Sequence, residues 1–208
     1  MNYKEITKNT YNEKADSISA RFGVYFPLYA QHLADKFVDL CPTGDSGFIL
    51  LDIGCGSGDA AAYFKGKPQI GNVVGIDISS EMLKHASNKG VDVIQMDIEN
   101  LAFTAGNFDA IWAMNSLLHL PKKRLPAVLC EIANLLKDDG VAFISIKKGE
   151  GEKFLPSPEG NKYQRYYSFW QEEEFSHHLN KHFSLVDSSE SSRENSHHLN
   201  FFLRKNDL

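Results

Sequence analysis

Short apolar runs alternate with helical patterns along most of the chain. Five runs are rich in Ile, Leu, Val or Ala and have the length of buried strands in a parallel sheet. They lie at 49–53, 72–79, 91–98, 108–116 and 141–146. Helical patterns between them start near Ala60, Ser79 and Lys122. This alternation predicts a mostly parallel α/β sheet with helices on both faces.

Before the first run, apolar residues recur at helical spacing in two stretches. The first covers residues 3–20, and the second runs from Pro27 to Leu40, with Pro27 suited to a first helical turn. A Pro- and Gly-containing stretch, residues 41–47, reads as a loop before the first strand. Residues 1–46 are therefore predicted to form an N-terminal helical cap.

The C-terminal end carries a different pattern. A helix is expected from Trp170 to about Asn180, followed by strand-like runs at 183–187 and 200–204. Parallel strands need a crossover element between them, and the connection over 188–194 has no helical pattern. The last two strands should therefore form an antiparallel hairpin.

Composition narrows the class of protein. The chain has 208 residues, 42% of them hydrophobic and 24% charged, which suits one domain with a full core. A net charge of −5 gives no general attraction for nucleic acid. No apolar run has the length of a membrane span, and the three cysteines have no C-x-x-C spacing. We expect a cytoplasmic protein without disulfides or a metal site, working as a monomer or homodimer.

A glycine-rich turn follows the first strand. Gly54, Gly56 and Gly58 alternate before a helical stretch, so free backbone N–H groups and a helix N-terminus face one spot. A dinucleotide fold requires G-x-G-x-x-G, which would place a glycine at position 59. The residue there is Asp59, and an acid is a poor neighbour for a pyrophosphate.

Acids also mark the ends of three predicted strands. Asp52, Asp77 and Asp97 each finish a strand at the same edge of the sheet. Asp77 is well placed to accept both hydroxyls of a ribose, which both NAD and S-adenosylmethionine (SAM) contain. Asp52 and Asp59 near one turn favour a ligand with positive charge. SAM carries a sulfonium and an ammonium, whereas NAD offers phosphates.

Three segments resemble class I SAM-dependent methyltransferases. Residues 49–61 resemble motif I of that family, 77–83 match its D-x-S-x-x-M-L pattern, and 108–146 are similar to its fourth-strand region. The resemblance covers about 48–205. It implies a single domain over 1–208 with a seven-stranded Rossmann-like fold that ends in an antiparallel hairpin. It also implies SAM as cofactor and S-adenosylhomocysteine (SAH) as product.

The resemblance further implies a set of cofactor contacts. In relatives, an acid at the place of Asp52 lies near the methionine ammonium, and one at the place of Asp97 accepts from the adenine amino group. The implied cofactor-binding residues are Tyr11, Asp52, Gly54, Cys55, Gly56, Gly58, Asp77, Ile78, Met82, Asp97, Ile98, Met114 and Asn115. For Tyr11 and Met82, ordinary packing in the core is the alternative.

The acceptor side is less defined. Family members often carry a histidine at the place of His119, which could act as a base, line the acceptor site or simply pack. Ser116 should face the acceptor. The charged and aromatic stretch 147–170 is predicted to be a loop over the site. Within this loop, Arg165 could hold an acidic acceptor, Glu150 or Glu152 a cationic one, and Tyr166 adds an aromatic contact; a solvated loop is the alternative.

Several functions stay open at this point. The acidic chain favours a small-molecule acceptor, and the lack of an N-P-P-Y motif at 114–117 argues against methylation of an exocyclic base or amide nitrogen. A tRNA or protein acceptor is the second candidate, with 122–124 as the basic contact. A SAM- or SAH-binding module without turnover is the third. The pentapeptide S-H-H-L-N, at 176–180 and 196–200, is not expected to be a structural repeat.

Overall fold

The computed structural model describes residues 2–41, 47–193 and 196–206. Nine strands lie within these ranges, seven in one sheet and two in another. In chain order they are β1 (Phe48–Ile53), β2 (Ile70–Asp77), β3 (Asp92–Gln95), β4 (Phe108–Met114), β5 (Leu136–Lys147), β6 (Glu152–Ser157), β7 (Gly160–Ser168), β8 (Phe183–Arg193) and β9 (Ser196–Lys205). The helices are α1 (Tyr3–Glu13), α2 (Ala15–Tyr25), α3 (Gln31–Leu40), α4 (Asp59–Lys65), α5 (Ser80–Asn88), α6 (Leu125–Leu135) and α7 (Glu172–Leu179). Within the described ranges, no helix combines the length and apolar composition needed to cross a membrane.

The large sheet has the strand order β3-β2-β1-β4-β5-β9-β8. The pairs among β1 to β5 are parallel, whereas β9 is antiparallel to both β5 and β8. The predicted α/β class, mixed sheet and terminal hairpin are confirmed. The chain reverses its direction of travel across the sheet between β1 and β4. A crevice forms at such a switch point, outside the carboxyl ends of the strands.

Two apolar clusters cover the two faces of the sheet. On one face, Leu50 and Trp112 pack with α3, α4 and α5, and the Trp112 ring stacks on Phe143 at 4.0 Å between centroids. On the other face, Leu51 and Ile53 pack with α6 and α7. Neighbouring residues of β1 thus point to opposite faces, and both faces are buried. This explains why β1 reads as a continuous apolar run.

The N-terminal cap is helical as predicted, but its helices begin and end at other residues than expected. One helix was expected over 3–20, but the chain bends at Lys14 and continues as α2. Pro27 lies inside a π-helical turn, Phe26–Ala30, that joins α2 to α3. Proline has no N–H to donate to the preceding turn, so a wider turn at this place is expected. The predicted loop over 41–47 lies mostly outside the described residues.

The predicted loop over 147–170 was wrong for most of its length. Residues 152–168 form the antiparallel hairpin β6–β7, which is separate from the large sheet. Likewise, Ser188–Arg193 were expected in a connection but extend β8. They pair along β9 at the edge of the sheet, where polar side chains are tolerated because one side faces solvent. Apolar runs could not indicate the β6–β7 hairpin, which contains prolines and glycines, or the serine-rich extension of β8.

One strand and one helix also end earlier than predicted. The third strand was expected to run to Ile98 but ends at Gln95, because Asp97 Oδ1 accepts the backbone N–H of Glu99 and turns the chain. The helix expected to reach Lys137 ends at Leu135. Asp139 has a φ of 61°, which a helix cannot accommodate. The two S-H-H-L-N copies lie in different structures, one in α7 with its cap and one in β9.

Candidate active site

A cavity of about 620 Å³ lies at the carboxyl ends of β1, β2 and β4. This volume is in the range of small-molecule sites. The three strand-end acids, Asp52, Asp77 and Asp97, all line it. Because β3, β2 and β1 are adjacent in the sheet, their carboxyl ends bring the acids to one edge. The acids define one end of the cavity, which we call the acidic end.

The glycine turn forms the floor of the acidic end. Gly54, Gly56 and Gly58 all have positive φ, at 71°, 53° and 74°. A Cβ on Gly54 would lie 2.4 Å from the Ser116 side chain, so the turn passes directly against the end of β4. A Cβ on Gly58 would meet Ala86 of α5 at 2.7 Å. Gly54 and Gly56 line the cavity, whereas Gly58 serves the packing of α4 against α5.

Asp77 is fixed by the backbone of the neighbouring segments. One of its oxygens accepts the N–H of Gly56 at 2.9 Å, and the other accepts the N–H of Ser79 at 2.8 Å. Ser79 in turn caps α5, because its hydroxyl accepts the N–H of Met82. Asp77 therefore couples the glycine turn to the start of α5. Burial raises the pKa of its carboxyl.

Asp52 is buried and only partly satisfied. Its Oδ2 has no hydrogen-bond partner among the described residues. Burial, followed by the nearby charge of Asp77, raises its pKa to about 8. Asn115 Oδ1 and Ser116 Oγ, also in the cavity wall, are buried and equally without a partner in the described chain. Buried polar atoms are normally hydrogen-bonded, so these three atoms indicate where a polar ligand binds.

The other end of the cavity is aromatic and cationic. Tyr11 and Tyr167 line it together with Arg165 and Arg21. We call it the aromatic end. Arg21 is paired with Glu159 at 2.5 Å, and the carboxylate is largely buried. Arg165 is buried and donates from Nη1 to the Tyr11 hydroxyl at 3.3 Å.

His119 lies between Tyr11 and β7. Its Nδ1 is 2.6 Å from the carbonyl oxygen of Tyr166, which can only accept, so Nδ1 carries the proton. Burial lowers the pKa of His119 to about 3, and the charge of Arg165 acts in the same direction. The ring is therefore neutral at physiological pH. Nε2 then accepts from the Tyr11 hydroxyl, 3.0 Å away.

Helix α1 covers the cavity. Its residues Tyr3, Lys4, Thr7 and Tyr11 follow helical spacing on one face and line the cavity. At the acidic end, Lys4 forms ion pairs with Asp97 and Glu99. Farther along α1, Thr7 accepts the backbone N–H of Tyr166 at 3.0 Å. Thr10 donates to the carbonyl of Gln164 at 2.7 Å. The helix is thus bonded to both ends of the site.

Most of the candidate residues meet in this cavity. Those that line it are Tyr11, Asp52, Gly54, Cys55, Gly56, Asp77, Ile78, Asp97, Ile98, Met114, Asn115, Ser116, His119 and Arg165. The structure places four others away from its wall. Gly58 packs on α5, Met82 is fully buried beneath Gly56, and Glu150 lies near Gln171 on the surface. Tyr166 points to a separate surface cleft, where its hydroxyl donates to Glu152.

Other residues of the cavity were missed. They are Tyr3, Lys4, Thr7, Arg21, Phe22, Tyr25, Phe26, Tyr29, Lys147, Tyr167 and His198. The helical spacing of Tyr3, Lys4 and Thr7 with Tyr11 could have indicated a common face. Nothing in the sequence pattern marks Tyr167 or His198, because they reach the cavity only through the fold of the two C-terminal hairpins.

The fold is that of known methyltransferases. A family model described as a methyltransferase domain matches residues 50–140. Nocamycin O-methyltransferase from Saccharothrix syringae is 36% identical over 126 residues, covering 56% of this chain and 42% of that enzyme. The residues matched by the family model include the glycine turn and the acids of the acidic end. The chain contains a class I SAM-dependent methyltransferase domain.

Two solved structures extend the comparison of the methyltransferase domain. The DhpI–SAH complex is 19% identical, with a TM-score of 0.76 over 97% of this chain and 96% of that one. The 1,6-didemethyltoxoflavin-N1-methyltransferase of Burkholderia thailandensis, with its substrate and SAH bound, is 25% identical, with a TM-score of 0.67 over 94% and 90%. The chain spans about half the length of the curated relatives it matches, or less.

SAM, the cofactor of this domain class, fits the acidic end of the cavity. The unpartnered Oδ2 of Asp52 is suited to a cationic donor, and SAM carries an ammonium group. The left-handed backbone at Gly54 and Gly56 leaves no Cβ between the ligand and the turn. Asp59, which begins α4, places a further carboxylate near the turn, where it pairs with Lys89 at 2.5 Å.

Proposed function

We propose that this chain transfers a methyl group from SAM to a small-molecule acceptor and releases SAH. The observation that carries the proposal is the division of one cavity into an acidic end and an aromatic end. When bound, SAM supplies a methyl group that is already activated for attack. The protein then has to bind and align the acceptor and keep water out.

The chain's own residues divide this work. We assign the ribose hydroxyls to Asp77, the methionine ammonium to Asp52 and the adenine to Ile78, Asp97 and Ile98. Asn115, at the end of β4, has a φ of 54° and an unpartnered Oδ1. Strained backbone of this kind is often found at functional sites. We therefore place Asn115, with Met114 and Ser116, between the cofactor and the acceptor.

His119 is suited to positioning rather than to proton removal. A ring whose pKa is about 3 stays neutral and is a weak base. Its Nδ1 proton is held by the Tyr166 carbonyl, so Nε2 offers a lone pair of fixed direction. That lone pair now orients the Tyr11 hydroxyl. We propose that His119 orients a hydroxyl in the acceptor site through this same lone pair.

Two other functions receive less support. For a nucleic-acid acceptor, the basic segment 122–124 would be the contact, but Lys122 is already paired with Glu174. For a binding module without turnover, the β6–β7 hairpin would have to fill the space beside the cofactor. Instead, Arg165 and Tyr167 of β7 form one wall of an open space. The free cysteines Cys41, Cys55 and Cys130 suit the reducing, cytoplasmic setting that we propose.

A labelled-methyl screen tests the proposed function. Purified protein is incubated with methyl-labelled SAM and pools of small metabolites, RNA and protein, and SAH binding is measured separately by calorimetry. We expect label in a small-molecule fraction. Asp77→Asn should abolish both SAH binding and transfer, because an amide cannot accept from both backbone N–H groups.

The matched control is Asp92→Asn, an exposed aspartate at the start of β3. It should leave binding and transfer unchanged. SAH binding without label in any pool would favour the binding module, whereas label in RNA or protein would replace the proposed acceptor class. If SAH does not bind to the wild-type protein, the proposed function fails.

A further inference from the structure

Arg165 is a buried cation that forms no ion pair within the part of the chain that the structure describes. Its side chain enters the cavity wall from β7, and the residue is 6% exposed. Among the described residues, no carboxylate lies within ion-pairing distance of its guanidinium, and its Nε has no hydrogen-bond partner there. Nη1 of Arg165 donates a hydrogen bond to the neutral hydroxyl of Tyr11.

The two acids nearest the ends of the β6 strand, in the same hairpin as Arg165, are engaged elsewhere. Glu159 is paired with Arg21 at 2.5 Å and also accepts from the hydroxyl of Ser157. Glu152 accepts from the Tyr166 hydroxyl and from the backbone N–H of Lys122. Neither is free to turn toward Arg165 without breaking these bonds. Within the described chain, neither of these two acids can therefore become the counterion of Arg165 through a small side-chain movement.

A guanidinium cannot relieve this situation by losing its proton, because it stays charged at any pH that proteins tolerate. An unpaired charge in a protein interior is costly, and one that remains in a cavity wall indicates an anion from outside the chain. The planar fork of arginine matches a carboxylate with two parallel N–H donors. Nε, which is unpartnered, and Nη2 lie on one such edge.

The surroundings of Arg165 point to a flat ligand. Its guanidinium carbon lies 5.5 Å from the centre of the Tyr11 ring and 5.6 Å from that of Tyr167. The ammonium nitrogen of Lys147 lies 4.8 Å from the centre of the Tyr167 ring. Arg165 and Lys147 line the aromatic end, whereas the three strand-end aspartates line the acidic end. The cavity is thus polarised along its length.

We propose that the methyl acceptor is an aromatic carboxylic acid whose carboxylate pairs with Arg165. The inference rests on the proposed function, and it names the substrate class of the same site. Tyr11 and Tyr167 provide the flat walls, and Lys147 adds positive charge to the carboxylate's end. The polarised cavity accepts the cationic cofactor and the anionic acceptor in a single orientation.

The test uses SAH-saturated protein and a panel of hydroxybenzoic and hydroxycinnamic acids with their primary amides. Binding of each is measured by calorimetry, so that the acid and its uncharged amide of the same shape are compared directly. For the acids that bind best, we expect wild-type protein to prefer the acid by about thirtyfold or more. Arg165→Gln should remove this preference, and Arg165→Lys should retain part of it.

The matched control is Lys162→Gln, which removes an exposed positive charge from the same strand. It should keep the full preference for acids. Equal binding of acids and amides by wild-type protein, an unchanged preference in Arg165→Gln, or failure of every acid to bind would overturn the proposal. SAH binding to each variant is measured first. Its loss in the wild-type protein would count against the proposed function, whereas intact SAH binding isolates the acceptor proposal.

Discussion

At the scale of single residues, Asp52 is the side chain whose chemistry depends most on a ligand. In the ligand-free protein, burial and the neighbouring Asp77 raise its pKa to about 8, above its usual value of about 3.9. Between these two pH values the folded protein holds a proton that the unfolded chain has released. Folding stability should therefore fall as pH rises through this window, by up to about 1.4 kcal/mol per pH unit.

The same proton predicts how cofactor binding responds to pH. If Asp52 faces the ammonium of SAH, the complex favours the carboxylate, and binding releases a proton. The affinity for SAH should then increase from pH 6 to pH 8, by at most about tenfold per pH unit. Calorimetry in two buffers of different ionisation enthalpy measures both the affinity and the proton count.

Asp52→Asn is the matched variant, since it keeps the shape and removes the titration. It should bind SAH more weakly than wild-type protein at pH 8 and show a much flatter pH dependence. Proton uptake on binding, or a wild-type affinity that falls toward pH 8, would show that Asp52 does not face the ammonium.

At the scale of elements, α1 is held over the cavity by polar bonds rather than by a large apolar face. Thr7 and Thr10 are both buried, and each bonds to the backbone of β7. The other polar bonds of α1 include the ion pairs of Lys4 with Asp97 and Glu99 and the hydrogen bond that Asn12 accepts from the Ser79 hydroxyl. Elements with few buried apolar contacts unfold locally at a lower free energy than the core. Helix α1 is therefore suited to open for ligand exchange.

Replacing Thr7 and Thr10 by Val tests this role of α1. The shape is kept, but the Tyr166 N–H and the Gln164 carbonyl lose their partners, at about 1–3 kcal/mol for each buried group. We expect faster hydrogen exchange in residues 3–13 and faster SAH dissociation. Ser17→Ala is the control, because that exposed hydroxyl bonds only within α2 and its cap. Unchanged exchange and dissociation in the double variant would mean that α1 is a fixed part of the wall.

The secondary-structure elements also show which parts of the site could be predicted from the sequence. The strand-end acids could be placed because β1 and β2 are apolar runs that end where polarity returns, and parallel strands share one edge. The β6–β7 hairpin could not be foreseen in the same way. Its exposed residues include Lys153 and Gln164, and apart from Tyr167 its buried ones are polar: Ser157, Arg165 and Ser168. Periodicity in hydrophobicity cannot reveal a strand whose buried face is polar.

At the scale of the whole molecule, the sheet order explains both what was predictable and what was not. The acidic end is built by adjacent strands that follow one another closely in sequence. The aromatic end joins Tyr11 near the N-terminus with Tyr167 near the C-terminus, a contact that only the complete fold produces. The cofactor class could thus be inferred from local motifs, whereas the acceptor wall required the structure.

The distribution of charge in the cavity gives a prediction about ligand choice. Asp52, Asp59 and Asp77 gather around the glycine turn. A pyrophosphate placed there would meet three acidic side chains, whereas an ammonium would favour the carboxylate form of Asp52 and be attracted to it. SAH at a hundred times its Kd should stabilise the protein by about 2.7 kcal/mol. For a chain of this length each kcal/mol raises Tm by about 2–4 °C, so thermal unfolding should shift upward by about 5–10 °C. NAD at the same concentration should leave Tm almost unchanged.

Asp59→Asn, which reduces the negative charge without touching Asp77, should retain the SAH shift and serves as the companion variant. A larger shift with NAD than with SAH would contradict the assignment of the acidic end, because the same three carboxylates cannot favour a phosphate over an ammonium.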